Sequence, residues 1–202
     1  MYRYFFALAL LIMSQLTQAT EEPDHEVLRT IDNVEIRQYA AYLVAEVLVE
    51  GDADDAGNKA FPILAGYIFG KNKGDRSFPM TAPVTQSAAP LKLEMTAPVT
   101  QTAVAGGWIV QFVLPKGLTL ATAPEPLDPR VHLREVASTR VAAIRYSGFW
   151  SAGNYAEHLA KLQETLIAEG LHWIGEPVFS RYNPPFTLWF LRRNEIWLTL
   201  KA

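Results

Sequence analysis

The chain has 202 residues, of which 50% are apolar, 19% charged and 11% aromatic, with 18 basic against 21 acidic residues, a net charge of −3 and no cysteine. That composition can bury a core and excludes a disordered tail protein, and its slight acidity argues against a phosphate-binding nucleic-acid surface. Without Cys there are no disulfides, zinc–thiolate sites, iron–sulfur clusters or cysteine nucleophiles, so any metal or cofactor must be held by His, Met, carboxylates or packing.

Residues 1–19 carry Arg3, an apolar run from Phe5 to Met13 and small residues at Thr17 and Ala19. The run is too short for a hydrocarbon core, which needs about 20 residues. The pattern is that of a secretory signal cleaved after Ala19. The expectation is a periplasmic or secreted protein with no membrane span after cleavage. The alternative is an uncleaved N-terminus acting as an anchor.

Val34–Tyr39 alternates apolar and polar as a half-buried strand does, and Tyr42–Val49 follows as a more continuously apolar strand. Asp52, Asp54 and Asp55 favour a helix start. Ala56, Ala60, Phe61, Leu64, Tyr67 and Ile68 then recur at helical spacing as far as Gly70. Pro62 inside this run predicts a kink or a late start near Asn58. Strand-like runs follow at 78–86, 91–100 and 108–114, and the proline-rich stretch 121–129 reads as an extended connector.

The second half repeats the order. Strands at 131–137 and 140–149 lead to a helix that Asn154 can cap, with Glu157 in capping-box position and paired to Lys161. Its apolar face is Tyr155, Leu159, Leu162 and Leu166, and Gly170 stops it. Strands at 172–182, 187–192 and 195–200 close the chain, the last two joined by a tight turn at Arg193-Asn194. The spacing therefore predicts an antiparallel α+β domain over residues 20–202, built of two similar halves at about 30–118 and 130–201 with one helix laid on each.

Met80-Thr-Ala-Pro-Val-Thr-Gln86 recurs letter for letter as Met95-Thr-Ala-Pro-Val-Thr-Gln101. Proline inside a strand-like run belongs at an edge or a bulge. Two readings stand: bulged strands that point Met80 and Met95 at a ligand, or a structural bulge pair with Met as core filler.

Glu35-Ile-Arg-Gln-Tyr39, Tyr67-Ile-Phe-Gly-Lys-Asn72, the doubled Met-Thr-Ala-Pro-Val, Phe112-Val-Leu-Pro115, Ser147-Gly-Phe149, Tyr182-Asn-Pro184 and Arg193-Asn-Glu-Ile-Trp-Leu198 occur in order. In these motifs the chain resembles the SOUL haem-binding protein family across essentially its whole length after residue 19. The resemblance implies a distorted antiparallel β-barrel of two βαβ-rich halves, SOUL- or effector-binding-like. It also implies non-covalent, non-enzymatic binding of haem or another tetrapyrrole in an apolar cleft along the first helix. Phe61, Leu64, Ala65 and Ile68 would form the cleft floor.

In some members a His proposed to ligate iron stands where this chain has Gln38, so the resemblance puts an amide near the iron. Other members use a basic residue on the first helix near the propionates. The matching stretch Leu64-Ala-Gly66 lacks one, leaving Lys59, Lys71 and Lys73 nearby. Met80 or Met95 would serve as a soft axial ligand. His25, His132, His158 and His172 show no metal-chelating spacing and read as surface or core-edge residues, with His25 in a mobile N-terminal segment.

Two rivals remain: the same cleft holding a different apolar small molecule, and an envelope structural or interaction protein without haem. No enzyme motif is present. Gly148-Phe-Trp-Ser-Ala-Gly153 has the wrong spacing for a nucleophile elbow, and Ser151 reads as a helix-start residue. The crowd of Trp173, Tyr182, Phe186, Trp189, Phe190 and Trp197 reads as strand core or as a stacking wall for a flat ligand. Arg192, Arg193 and Glu195 beside it are either a solvated turn or propionate contacts.

Overall fold

The computed structural model describes residues 21–51, 53–88, 107–183 and 186–201. Residues 1–19, the strand expected at 91–100 and the second motif copy with Met95 lie outside the described residues. Among the described residues, nine strands and two helices follow one another as β1 (His25–Ile31), β2 (Val34–Tyr39), β3 (Tyr42–Val49), α1 (Ala53–Ile68), β4 (Val84–Ala88), β5 (Trp108–Val113), β6 (His132–Val136), β7 (Thr139–Tyr146), α2 (Ala152–Ala168), β8 (Trp173–Arg181) and β9 (Asn194–Leu200).

Every strand pairing is antiparallel, in the order β1-β2-β7-β9-β8-β4-β5-β3-β6. The two halves are interleaved. β2 leaves the first half to pair with β7, β6 leaves the second to pair with β3, and β4 and β8 join the halves at the centre. The sheet curls on itself rather than closing. β1 and β6 remain unpaired edges among the described residues, so the expected barrel is an open one.

Both helices lie on one face. Leu43, Ala45 and Val47 of β3 and Val110 and Phe112 of β5 bury Ala60, Leu64 and Ile68 of α1. Ala142 and Ile144 of β7 and Ile196 and Leu198 of β9 bury Leu162 and Leu166 of α2. The parity of the pairings Val84↔Arg181, Gln86↔Phe179 and Phe179↔Ile196 puts these β4 and β8 side chains on that same helix face, in the strip between the helices. The other face turns inward: Arg37, Val44, Thr85, Ser180 and Glu195 are buried although no helix covers them.

Local sequence explains most element boundaries, and several expectations need correction. Pro62 neither delays nor divides α1; it lies on the exposed side of the helix, as does Asn58, whose carbonyl it cannot serve. His25 begins a paired strand instead of belonging to a mobile segment. Residues 78–83 make no ladder, and pairing starts at Val84 after a cis Ala82–Pro83 bond. Finally, 187–192 is no strand. It holds a single 3₁₀ turn, Trp189–Leu191, inside the long β8–β9 loop, so there is no tight turn at Arg193-Asn194.

α2 is capped by Ser151, whose Oγ accepts from Asn154 N at 3.3 Å. Asn154 is therefore not the cap, and Glu157 is paired with Lys161 at 2.6 Å rather than reaching back. Gly170, at φ +66°, ends the helix where an L side chain would be strained.

Candidate ligand-binding site

The residues expected to floor a cleft divide. Leu64 and Ile68 are fully enclosed between α1 and the sheet, and Ala65 is buried with them. Phe61 alone is open: it is 43% exposed and stands edge-on to Phe112, with ring centroids 5.5 Å apart. Met80 is partly buried against the same core, in the filler role. Gln38 lies apart on β2, its amide donating to Ser138 Oγ at 3.0 Å, and the apolar residues of its own face, Val34 and Ile36, belong to the α2 core.

What α1 does face is a ladder of cations and rings. The Arg181 guanidinium lies 4.5 Å from the Trp150 ring centroid, and Arg192 lies 4.7 Å from the same ring and 6.0 Å from Phe149. Phe149 in turn stacks on Trp189 at 5.5 Å and 20°, and Phe190 meets Trp189 edge-on. The ladder touches α1 at Gly57: a Cβ there would come within 2.9 Å of Arg181 Nη1, so the helix approaches this closely because the position is glycine. Gly57 and Phe61 are one helical turn apart and share a stripe.

Two loops build the ladder. Asn154 Nδ2 donates to the carbonyls of Ser147 and Phe149, and Trp150 Nε1 donates to Asn194 Oδ1 at 2.7 Å. Gly148 N donates to Trp189 O, and Arg192 Nε donates to Thr187 O at 2.8 Å. The result presents Phe149, Phe186, Leu188, Trp189, Phe190 and Leu191 to solvent, each about half exposed or more. So many contiguous exposed apolar groups mark a contact surface. Close by on the helix face, the buried Tyr146 hydroxyl has no hydrogen-bond partner among the described residues, and burial pushes its pKa far above the usual phenol range.

Of the loop charges, only Arg192 belongs to this wall. Glu195 is completely buried on the inward face, where it accepts from Arg37 Nη1 at 2.7 Å, Tyr182 Oη at 2.8 Å, Trp197 Nε1 at 2.8 Å and Arg193 Nε at 2.9 Å. Burial by itself would raise its pKa. The hydrogen bonds and charge of Arg37, with Arg193 and Trp197, outweigh that and hold it at about 2. Arg193 also lies 3.7 Å over the Tyr182 ring, so Glu195 and Arg193 anchor the loop base instead of meeting solvent.

The four histidines do not gather. His132 and His172 are exposed, His25 packs on the Tyr39 ring, and His158 packs on Tyr146 while its Nδ1 donates to the Asn154 carbonyl at 2.8 Å. No group of three metal-ligating side chains occurs among the described residues. No described helix is long and apolar enough to cross a membrane.

Residues 20–199 match the family model described as SOUL heme-binding protein. The chain belongs to the SOUL heme-binding protein family. Heme-binding protein 2 of Mus musculus is 31% identical over 91% of this chain and 88% of that protein, and Heme-binding protein 2 of Homo sapiens is 30% identical over 83% and 78%. Among solved structures, the C-terminal domain of EcmrR superposes with a TM-score of 0.59 at 10% identity, over 84% of this chain and 97% of that one, which shares the fold alone. In the SOUL frame the α1 stripe, the 147–150 loop and the β8–β9 loop are the elements that bring this chain's open aromatic surface together.

Proposed function

We propose that the chain binds haem or another tetrapyrrole reversibly and without catalysis, against the wall formed by Phe61 of α1, Trp150, Phe149 and Trp189. The observation that carries this reading is the Arg181–Trp150–Arg192–Phe149–Trp189 ladder, which meets α1 at Gly57, one turn before the exposed Phe61. Flat rings stack on flat rings, and burial of one large aromatic face removes well over 100 Å² of apolar surface from water. Arg181 and Arg192 supply charge for propionates, with Arg preferred because its planar fork matches a carboxylate.

These residues fit a tetrapyrrole's faces and edges, and when bound the macrocycle would contribute its own iron chemistry. The chain contributes position, exclusion of water and charge. Affinity then comes from shape and burial, as expected where Gln38 replaces a ligating side chain and lies away from α1.

Titrating the purified chain with hemin tests this. A saturable, shifted Soret band is expected, and Phe149→Ala with Trp189→Ala should weaken binding at least about tenfold, or ~1.4 kcal/mol. Gln38→Ala should leave the curve unchanged. No saturable shift at tens of micromolar, or a loss on Gln38→Ala as large as on the wall variant, contradicts the proposal.

A further inference from the structure

A cavity that shares no residue with the aromatic wall lies where β1, β2 and the end of α2 meet. We propose that it binds a long-chain carboxylate, an anionic amphiphile of the fatty-acid class, at a site separate from the aromatic wall. The cavity has a volume of about 360 Å³ and an apolar floor of Leu28, Ile36, Leu171 and Leu200. Ligand pockets begin at about 300 Å³, so this one is large enough for a small ligand's body.

Local backbone features create the cavity. The β1–β2 pairing slips between Val27 and Arg29, so Leu28 sits at a bulge, the irregularity that re-aims a side chain out of the ladder. α2 stops at Gly170, and the chain reverses with Leu171 N donating to Leu166 O at 2.8 Å and Gly170 N to Ile167 O at 3.1 Å. That turn satisfies two terminal carbonyls of the helix, so they do not face the cavity as free acceptors.

The rim is cationic. Arg29, Arg140, His172 and Lys201 border the apolar floor. Glu169, the neighbouring carboxylate, is taken by Arg29 Nη2 at 2.5 Å. The side chains of Arg140 and Lys201 have no ion pair or hydrogen bond among the described residues. An apolar floor under two uncompensated cations selects a ligand with an apolar body and one anionic head, and Arg140 can grip a carboxylate with two parallel N–H groups. No Phe, Tyr or Trp lines the cavity, in contrast to the ladder beside α1, so its shape suits an alkyl chain rather than a flat macrocycle.

Isothermal titration with decanoate, kept below its critical micelle concentration, tests the inference against decanol as the uncharged counterpart. Decanoate should bind saturably at one site and at least about tenfold more tightly than decanol. Arg140→Glu with Lys201→Glu, both exposed and so tolerated by the fold, should weaken decanoate at least about tenfold and leave the hemin titration unchanged. The proposal is overturned by absent saturable binding, by equal affinity for decanol, or by an unaltered affinity in the double variant. Displacement of decanoate by one equivalent of hemin would also overturn it, because the carboxylate would then occupy the wall. The result does not depend on porphyrin binding: a chain that ignored hemin would still show it.

Discussion

Glu195 shows how a single residue can be buried as a charge. Four donor residues meet its two oxygens with no exposed surface remaining, and two of them, Arg37 and Arg193, are cations. Removing its charge leaves Arg37 paired only with the part-exposed Glu35 and Arg193 only with Glu22, so Glu195→Gln should cost about 3 kcal/mol in chemical denaturation, the low end for a broken buried pair. The pH dependence follows from its lowered pKa. Stability from this carboxylate is fully present above its unfolded value of 4.5 and is lost as pH falls through that value towards about 2. Unfolding curves for the parent chain should therefore weaken across that window, while Glu195→Gln loses less there; parallel losses would deny Glu195 the role. Its place was not legible in the sequence. Asn194–Leu200 reads as a strand end beside a turn, and the partner Arg37 lies 158 positions away.

At the scale of elements, the sequence pattern predicted Val34–Tyr39 and Tyr42–Val49 with their observed boundaries, although burial itself does not alternate: Arg37 and Tyr39 are buried on the face opposite Val34 and Ile36. The strand expected at 187–192 was misread, since aromatic crowding resembles strand alternation. Its exposed Trp189 is held there by contacts with Gly148 and Phe149 that no local pattern shows. Asn154 is the clearest case: a helix-start residue by type, it spends its amide on the Ser147 and Phe149 carbonyls. Asn154→Ala should loosen the loop carrying Phe149 and Trp150, lowering stability by about 1 kcal/mol and hemin affinity several-fold. Ser151→Ala should cost a similar ~1 kcal/mol through the lost cap yet leave hemin binding intact. Thermal unfolding and Soret titration of the pair check this, and equal hemin binding in both variants would break the link between Asn154 and the wall.

For the molecule as a whole, the spacing of helices and strands carried the α+β class and the helix on each half. It did not carry the exchange of β2 and β6 between halves, which depends on pairings over about a hundred residues, such as Gln38↔Arg140 and Tyr42↔Val136. That exchange decides the site. It places Gln38 at the corner by Ser138, on the sheet section packed under α2, while α1 meets Arg181 at Gly57. The Gln38 position and the proposed ligand surface therefore occupy different parts of one sheet, although Phe149 of that surface itself belongs to a family motif. Mapping the backbone amide shifts of the labelled chain on addition of zinc protoporphyrin tests this most directly. Ring-current shifts should concentrate at residues 57–61, 147–150 and 186–193. Shifts confined to Gln38 and its neighbours on β2 and β7 would contradict the account.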